Sequence, residues 1–390
     1  MKIKTFLLLL LATCCSLTKV DADTWKNPFV MPGAETYDTG DPQILKFRGE
    51  YYMYCSTGKS GIYCWRSRDL VNWSDAIEVC DEKPATEGYA PEVKYWNGVF
   101  YMVTSPSGLG HYILTSDKPT GPFTIRTSNL KREIDGTIFM DDDGKWYFYH
   151  AGFNGIEGNE MPTHLSFGTD KVLNACMDGQ WTEGPGVVKH NGKYYLIYTG
   201  NHVLTNGYRI DYAVSNNGPL STYTPQADQN PILISADGLD NLFGVGHGSA
   251  FIGPDLDSYF FCYHNMYKTP IRHIDIDRMA WNGDKLMMLG PTTWAKDVPV
   301  IADNDYFDRA EIGDSWKMAG GDWSIKGADY LKQSSTDTDA HAVFTPYSYS
   351  NYTAEFTVRL DSISQTGRLG VVFSYTLIPQ HYYKYNFLST

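Results

Sequence analysis

Short apolar stretches alternate with turn residues along most of the chain, and one compound pattern repeats five times. Each copy opens on a polar residue beside Gly or Pro and continues as a short apolar strand. A turn with Gly or Asp follows, then a strand dense in Tyr, Phe or Trp. The copies are Asp41–Phe47 with Tyr51–Cys55, Pro91–Trp96 with Val99–Val103, Asp135–Met140 with Lys145–Tyr149, Glu183–Lys189 with Lys193–Tyr198, and His247–Ile252 with Tyr259–His264. Their leading polar residues Asp41, Glu92, Asp135, Glu183 and His247 are 51, 43, 48 and 64 positions apart. Each interval has room for about four strands of usual length. Helical periodicity is weak, and turn signals fall at strand-like spacing. Four strands per copy and five copies predict an all-β chain built as a five-bladed β-propeller over residues 23–302. A plain sandwich gives no reason for the copies.

After residue 302 the repeat stops. Strand candidates at Ala342–Thr345, Ala354–Arg359 and Gly370–Tyr375 predict a second β-rich stretch over 303–390; it resembles the opening of a concanavalin-like module, which implies an incomplete β-sandwich. The first residues read differently. Met1–Lys4 is basic, Phe6–Ala12 is apolar, and Val20-Asp21-Ala22 has the small-residue form of a cleavage site. Residues 1–22 are expected to be a signal peptide, which makes the chain secreted or periplasmic. Cys14 and Cys15 directly after the apolar run leave lipid anchoring as a rival reading. No later run approaches the ~20 apolar residues that span a bilayer.

In a propeller the first strand of each blade lines the central channel. The five leading residues are therefore expected to converge on one funnel. Carboxylates that converge repel, and such clusters occur mainly where shifted pKa values serve chemistry. A catalytic channel and a metal-capped structural channel both fit that position. Composition narrows the partner. With 32 Lys+Arg against 45 Asp+Glu the net charge is −13, and no basic block offsets it. Nucleic acid is thereby disfavoured, since phosphate binding needs Lys and Arg. Tyr 29, Phe 18 and Trp 10 suit surfaces that are part apolar and part wet, as a sugar-binding surface is. Five cysteines remain after residue 22, with no C-x-x-C, so neither a disulfide framework nor a zinc site is indicated. Cys55 and Cys64 flank a turn, where an oxidising compartment would permit a bridge; two unbridged, half-buried strand residues fit equally.

Gly40-Asp41-Pro42-Gln43, Ala90-Pro91-Glu92-Val93, Ile134-Asp135-Gly136-Thr137, Glu183-Gly184-Pro185 and Gly246-His247-Gly248-Ser249, in this order, resemble family 43 glycoside hydrolases over roughly residues 27–295. The resemblance implies an inverting glycosidase with Asp41 as general base, Glu183 as general acid and Asp135 as the residue that orients and tunes the acid. It implies a sugar-binding role for Arg272; Glu92 reads as a sugar ligand or a structural hydrogen-bonding group. No cofactor is required, and a structural calcium beside His247 at the channel floor is the one metal implied. Bottom-up geometry is compatible. Asp41 and Glu183 lead non-neighbouring blades, as inversion needs carboxyls ~6.5–9.5 Å apart. His264 reads as a core histidine and the Asp141-Asp142-Asp143 run as a solvated turn. The substrate implied is an oligo- or polysaccharide carrying α-L-arabinofuranosides or β-xylosides. A non-catalytic carbohydrate-binding propeller, or a related enzyme acting on galactan or fructan, is the alternative.

Overall fold

The computed structural model describes residues 24–35, 37–177, 181–235, 242–267, 271–298, 303–335, 340–346, 352–362, 369–377 and 380–387. Residues 1–22, expected to be a signal peptide, lie outside them, with Cys14 and Cys15. Five antiparallel sheets follow one another along the chain, each laid down strand by strand in sequence order. Their first strands are Gly40–Phe47, Gly88–Trp96, Thr137–Met140, Glu183–His190 and Leu242–Ile252. Four sheets have four strands, and the fourth blade carries an extra one at Leu233–Ile234. This is a five-bladed β-propeller.

The density of aromatic residues in each second strand has a packing cause. Every residue of Glu50–Ser56 and of Trp146–Gly152 is buried. Side chains along a strand alternate between its two faces, and here both faces meet another blade. Tyr51, Met53 and Cys55 pack with Phe251, Phe260 and Ile274 of the fifth blade. Tyr52, Tyr54 and Cys64 pack with Val93, Phe100 and Met102 of the second. The core is a set of inter-blade seams. The same alternation settles the cysteines. Cys55 pairs with Tyr63, and Cys64 pairs with Tyr54. The two are therefore one residue out of register and face different seams. Both are free, so the bridge does not form.

The ring closes through the segment before the first blade. Thr24–Trp25 pairs with Lys296–Asp297. Trp25 donates its indole N–H to Ile276 O at 3.0 Å and meets Phe260 edge-on at 5.7 Å. Truncating a buried tryptophan costs about 3–5 kcal/mol, so this contact is a substantial tie between chain start and last blade. The described part of 303–390 forms three two-stranded sheets, Trp316–Ala319 with His341–Phe344, Trp323–Lys326 with Tyr330–Gln333, and Leu369–Leu377 with Gln380–Phe387. The strand expected at Ala354–Arg359 has no sheet partner among the described residues. Arg68 binds Asp308 at 2.9 Å and Tyr306 donates to Gly49 O at 3.1 Å, which fixes this segment to the end of the first blade away from Asp41.

Candidate active site

Each inner strand enters its blade through a bulge. Asp41 and Pro42 lie between the paired residues Gly40–Ser56 and Gln43–Tyr54. Ala90 and Pro91 lie between Tyr89–Ser105 and Glu92–Val103, and Gly184 and Pro185 between Glu183–Thr199 and Gly186–Ile197. His247 is the extra residue between Gly246–His264 and Gly248–Tyr263. In the third blade Asp135 and Gly136 fill the same place, between the bond from Ala151 N to Ile134 O and the pair Thr137–Tyr149. The first bulge residue has positive φ every time: Asp41 53°, Ala90 43°, Asp135 64°, Gly184 56° and His247 42°. Left-handed backbone costs a non-glycine residue roughly 1–2 kcal/mol, and bulges re-aim side chains. Here they aim them into the channel.

The bulges correct the expected alignment. Equivalent positions are Asp41, Ala90, Asp135, Gly184 and His247. Glu183 stands one residue before its bulge, and Glu92 two residues beyond the first residue of its own. The Gly and Pro beside each acid were visible in the sequence. The phase was not, because it is set by pairing with the second strand.

Asp41 sits in a cage of donors. Its Oδ1 accepts from Arg272 Nη1 at 2.7 Å and lies 3.1 Å from His247 Nδ1. Its Oδ2 accepts from Ser56 Oγ at 2.7 Å. Burial pushes this carboxyl up, but the charges of Arg272 and His247 outweigh burial and hold it well below the carboxylate range. Arg272 is itself gripped by Asp38, through Nε at 2.8 Å and Nη2 at 2.6 Å. A Cβ on Gly40 would fall 2.0 Å from the guanidinium carbon, so glycine is required for Arg272 to cross the strand. His264 is not a bystander of the core. Its Nδ1 accepts the Asp41 N–H at 3.1 Å, and burial pushes the ring down to about 4, so it is neutral.

Glu183 has the opposite surroundings. Burial and the neighbouring Asp135 charge raise its carboxyl to about 8, against the pull of His247 and of the Tyr208 hydroxyl, which donates to Oε1 at 2.7 Å. Asp135 is also raised, chiefly by burial, with His247 opposing and Asp41 adding to the shift. Its Oδ2 accepts Gly184 N–H at 3.2 Å. His247 lies beside the acids, its Nδ1 3.5 Å from Asp135 Oδ2 as well as near Asp41. Burial alone would lower this imidazole, but Asp135 and Asp41 bring it up to about 9. One imidazole thus lies against two carboxylates, and its surroundings favour the ionised form of Asp41 and the protonated form of Glu183.

The other expected residues divide. Arg272 reaches the site but spends its donors on Asp41 and Asp38. Glu92 lines the channel cavity, with its carboxylate on Lys94 Nζ at 2.7 Å and near Ile138 N at 3.4 Å. Of the run expected to be a solvated turn, Asp142 and Asp143 are exposed, while Asp141 is half-buried and accepts from Tyr194 Oη at 2.6 Å and Lys189 Nζ at 2.5 Å. Tyr208, Asp38 and Ser56 had no motif to announce them. Asp41, Glu92, Asp135, Thr137, His247 and Ser249 wall a cavity of about 20 Å³, enough for one water-sized occupant. Oxygen donors and one imidazole are a donor set that fits a hard cation.

Known proteins place this arrangement. The family model for glycosyl hydrolases family 43 matches residues 27–287. A β-D-galactofuranosidase of Aspergillus niger is 27% identical over 309 residues, covering 70% of this chain and 85% of that enzyme. A xylosidase/arabinosidase of Butyrivibrio fibrisolvens is 27% identical over 186 residues, which span 40% of this chain and only 36% of that protein. The crystal structure of a thermostable family-43 glycoside hydrolase superposes with a TM-score of 0.63 at 30% identity, over 71% of this chain and 99% of that one. Sequence and fold thus agree across all five blades, and the chain belongs to glycosyl hydrolases family 43, as a glycosidase.

Proposed function

We propose that the chain hydrolyses α-L-arabinofuranosides or β-xylosides of plant-type polysaccharides or oligosaccharides with inversion. One observation carries the reading: two carboxyls in one channel have opposite surroundings, Asp41 among the donors Arg272, Ser56 and His247, and Glu183 beside the Asp135 carboxylate. Asp41, ionised, takes a proton from the attacking water. Glu183, protonated, gives its proton to the leaving-group oxygen. Asp135 keeps that proton on Glu183 through its charge and braces the Gly184 turn. Arg272 and His247 keep Asp41 ionised and oriented. The names of the fungal and Butyrivibrio relatives support a furanoside or xyloside ring.

Anomeric NMR during the first minutes of hydrolysis tests the pair. Inverted product is expected, and retained product would assign a nucleophile in place of a base. Nitrophenyl α-L-arabinofuranoside, β-D-xyloside and β-D-galactofuranoside resolve the ring. The last belongs in the panel because it differs from the arabinofuranoside by one hydroxymethyl extension. A calcium ion in the channel would be held by His247 and the carboxylates beside it, and would supply the positive charge that the imidazolium proton otherwise gives. Activity retained in EDTA is the result expected if the protonated ring suffices. We propose further that residues 1–22 export the chain and that 303–390 belongs to a separate β module.

A further inference from the structure

Glu183 has an apolar neighbour that its chemistry does not explain. Trp181 lies two residues before it and is 43% exposed. Its ring meets His202 edge-on at 4.8 Å. His202 and Leu204 sit on the loop joining Lys193–Gly200 to Arg209–Ser215, the second and third strands of the same blade. The last residue of that loop, Tyr208, donates to Glu183 itself. Wall and acid are therefore one construction.

The loop is held in shape from within. Asn201 Nδ2 donates to Gly207 O at 2.6 Å across its neck. The His202 carbonyl accepts from Thr205 N at 2.9 Å and from Thr205 Oγ1 at 2.7 Å. Leu204 N–H donates to His202 Nδ1 at 3.2 Å, and the Leu204 side chain is left 62% exposed at the tip. A large apolar side chain gains roughly 1.5–3 kcal/mol by burial. Trp181 forgoes part of it, as does Leu204 on a loop whose conformation is already fixed.

The opposite flank is different in kind. Asp41 is ringed by Ser56, Arg272, His247 and His264, polar or charged groups that suit a water molecule. On the acid's side the catalytic proton must meet the glycosidic oxygen, so the group leaving with that oxygen lies against the acid's neighbours. We infer that Trp181, His202 and Leu204 form the subsite for the leaving group, and that they select aglycones that are themselves sugar rings. The C–H face of such a ring packs on an aromatic face, whose π-electrons attract its hydrogens, and on an aliphatic tip. This rests on the role of Glu183 proposed above.

The test compares one sugar with two leaving groups. Arabinobiose or xylobiose, whichever the enzyme cleaves, fills the subsite; the corresponding glycosyl fluoride releases an ion too small to reach it. In Trp181→Ala the ratio of kcat/KM, disaccharide over fluoride, is expected to fall about tenfold, mainly through KM, the scale of one lost ring contact. Trp181→Phe should restore most of that ratio. Leu109→Ser, which removes another exposed apolar residue from the second blade, should leave the ratio unchanged. A ratio that falls through kcat with KM unchanged would overturn the subsite and make Trp181 a support for Glu183, because a sugar alcohol needs the acid's proton more than fluoride does; an unchanged ratio, equal loss on both substrates included, would overturn it outright. A wild-type enzyme that cleaves neither compound nor any glycoside refutes the hydrolase reading itself, a result separable from both.

Discussion

Asp41 and Glu183 bring the same functional group into the same channel and end in opposite charge states. Both are withdrawn from water, and desolvation pushes both carboxyls toward the protonated form. The difference is made by neighbours and by where the chain recruits them. Asp41 belongs to the first blade, and His247, His264 and Arg272 all come from the fifth. Its ionisation therefore depends on closure of the ring. Glu183 takes its repulsive partner from the third blade and its hydrogen bond from Tyr208 of its own. A proton donor and a proton acceptor can thus be made from like groups when the seams between blades deliver cations to one and an anion to the other.

The comparison breaks most sharply where the base is lost. Asp41→Asn should lower kcat/KM by about 10³–10⁴-fold on natural and aryl glycosides alike, because water needs activation whatever leaves. Steady-state rates on both substrate types check it, and a loss confined to one type contradicts the base assignment. Glu183→Gln comes next, at about 10²–10³-fold on natural glycosides. Nitrophenyl glycosides should suffer much less, since nitrophenolate departs unprotonated. An unchanged natural-to-aryl ratio would sink the acid assignment.

The neighbours give smaller and signed effects. Arg272→Gln removes the leading cation at Asp41, so the base pKa rises and the acid limb of the pH–rate profile moves to higher pH. Asp135→Asn removes a negative neighbour that favoured the protonated form of Glu183, so the alkaline limb moves down from about 8. Tyr208→Phe removes a hydrogen bond that favoured the ionised form, so the same limb moves up. Opposite signs for these two variants in parallel kcat/KM profiles are the signature; shifts in one direction would contradict the account. Glu92→Gln should be smallest, under about threefold, because its carboxylate serves a partly exposed ion pair.

Much of this was legible. The five turn-flanked leading residues disclosed the blades, and Asp41, Asp135, Glu183 and His247 are brought together as their positions implied. Equivalence was misread where a bulge decides it: Ala90, with no chemistry to attract notice, holds the place assigned to Glu92. The Cys55–Cys64 bridge fails for the same reason, a register offset of one residue. Asp38 and Tyr208 were invisible because their roles arise from contacts with Arg272 and Glu183 made only after folding. Asp38 and Arg272 are 234 residues apart. His264 looked like core and is core; that its ring also holds the Asp41 amide follows from the bulge.

The proton on Glu183 is the point on which the account turns, and it can be watched directly. Side-chain carboxyl ¹³C NMR of glutamate-labelled protein, titrated with and without Glu183→Gln, isolates that one group. A resonance with a midpoint near 8, missing from the variant, is the predicted result. A Glu183 resonance that titrates near the ordinary value of 4.5 would contradict it.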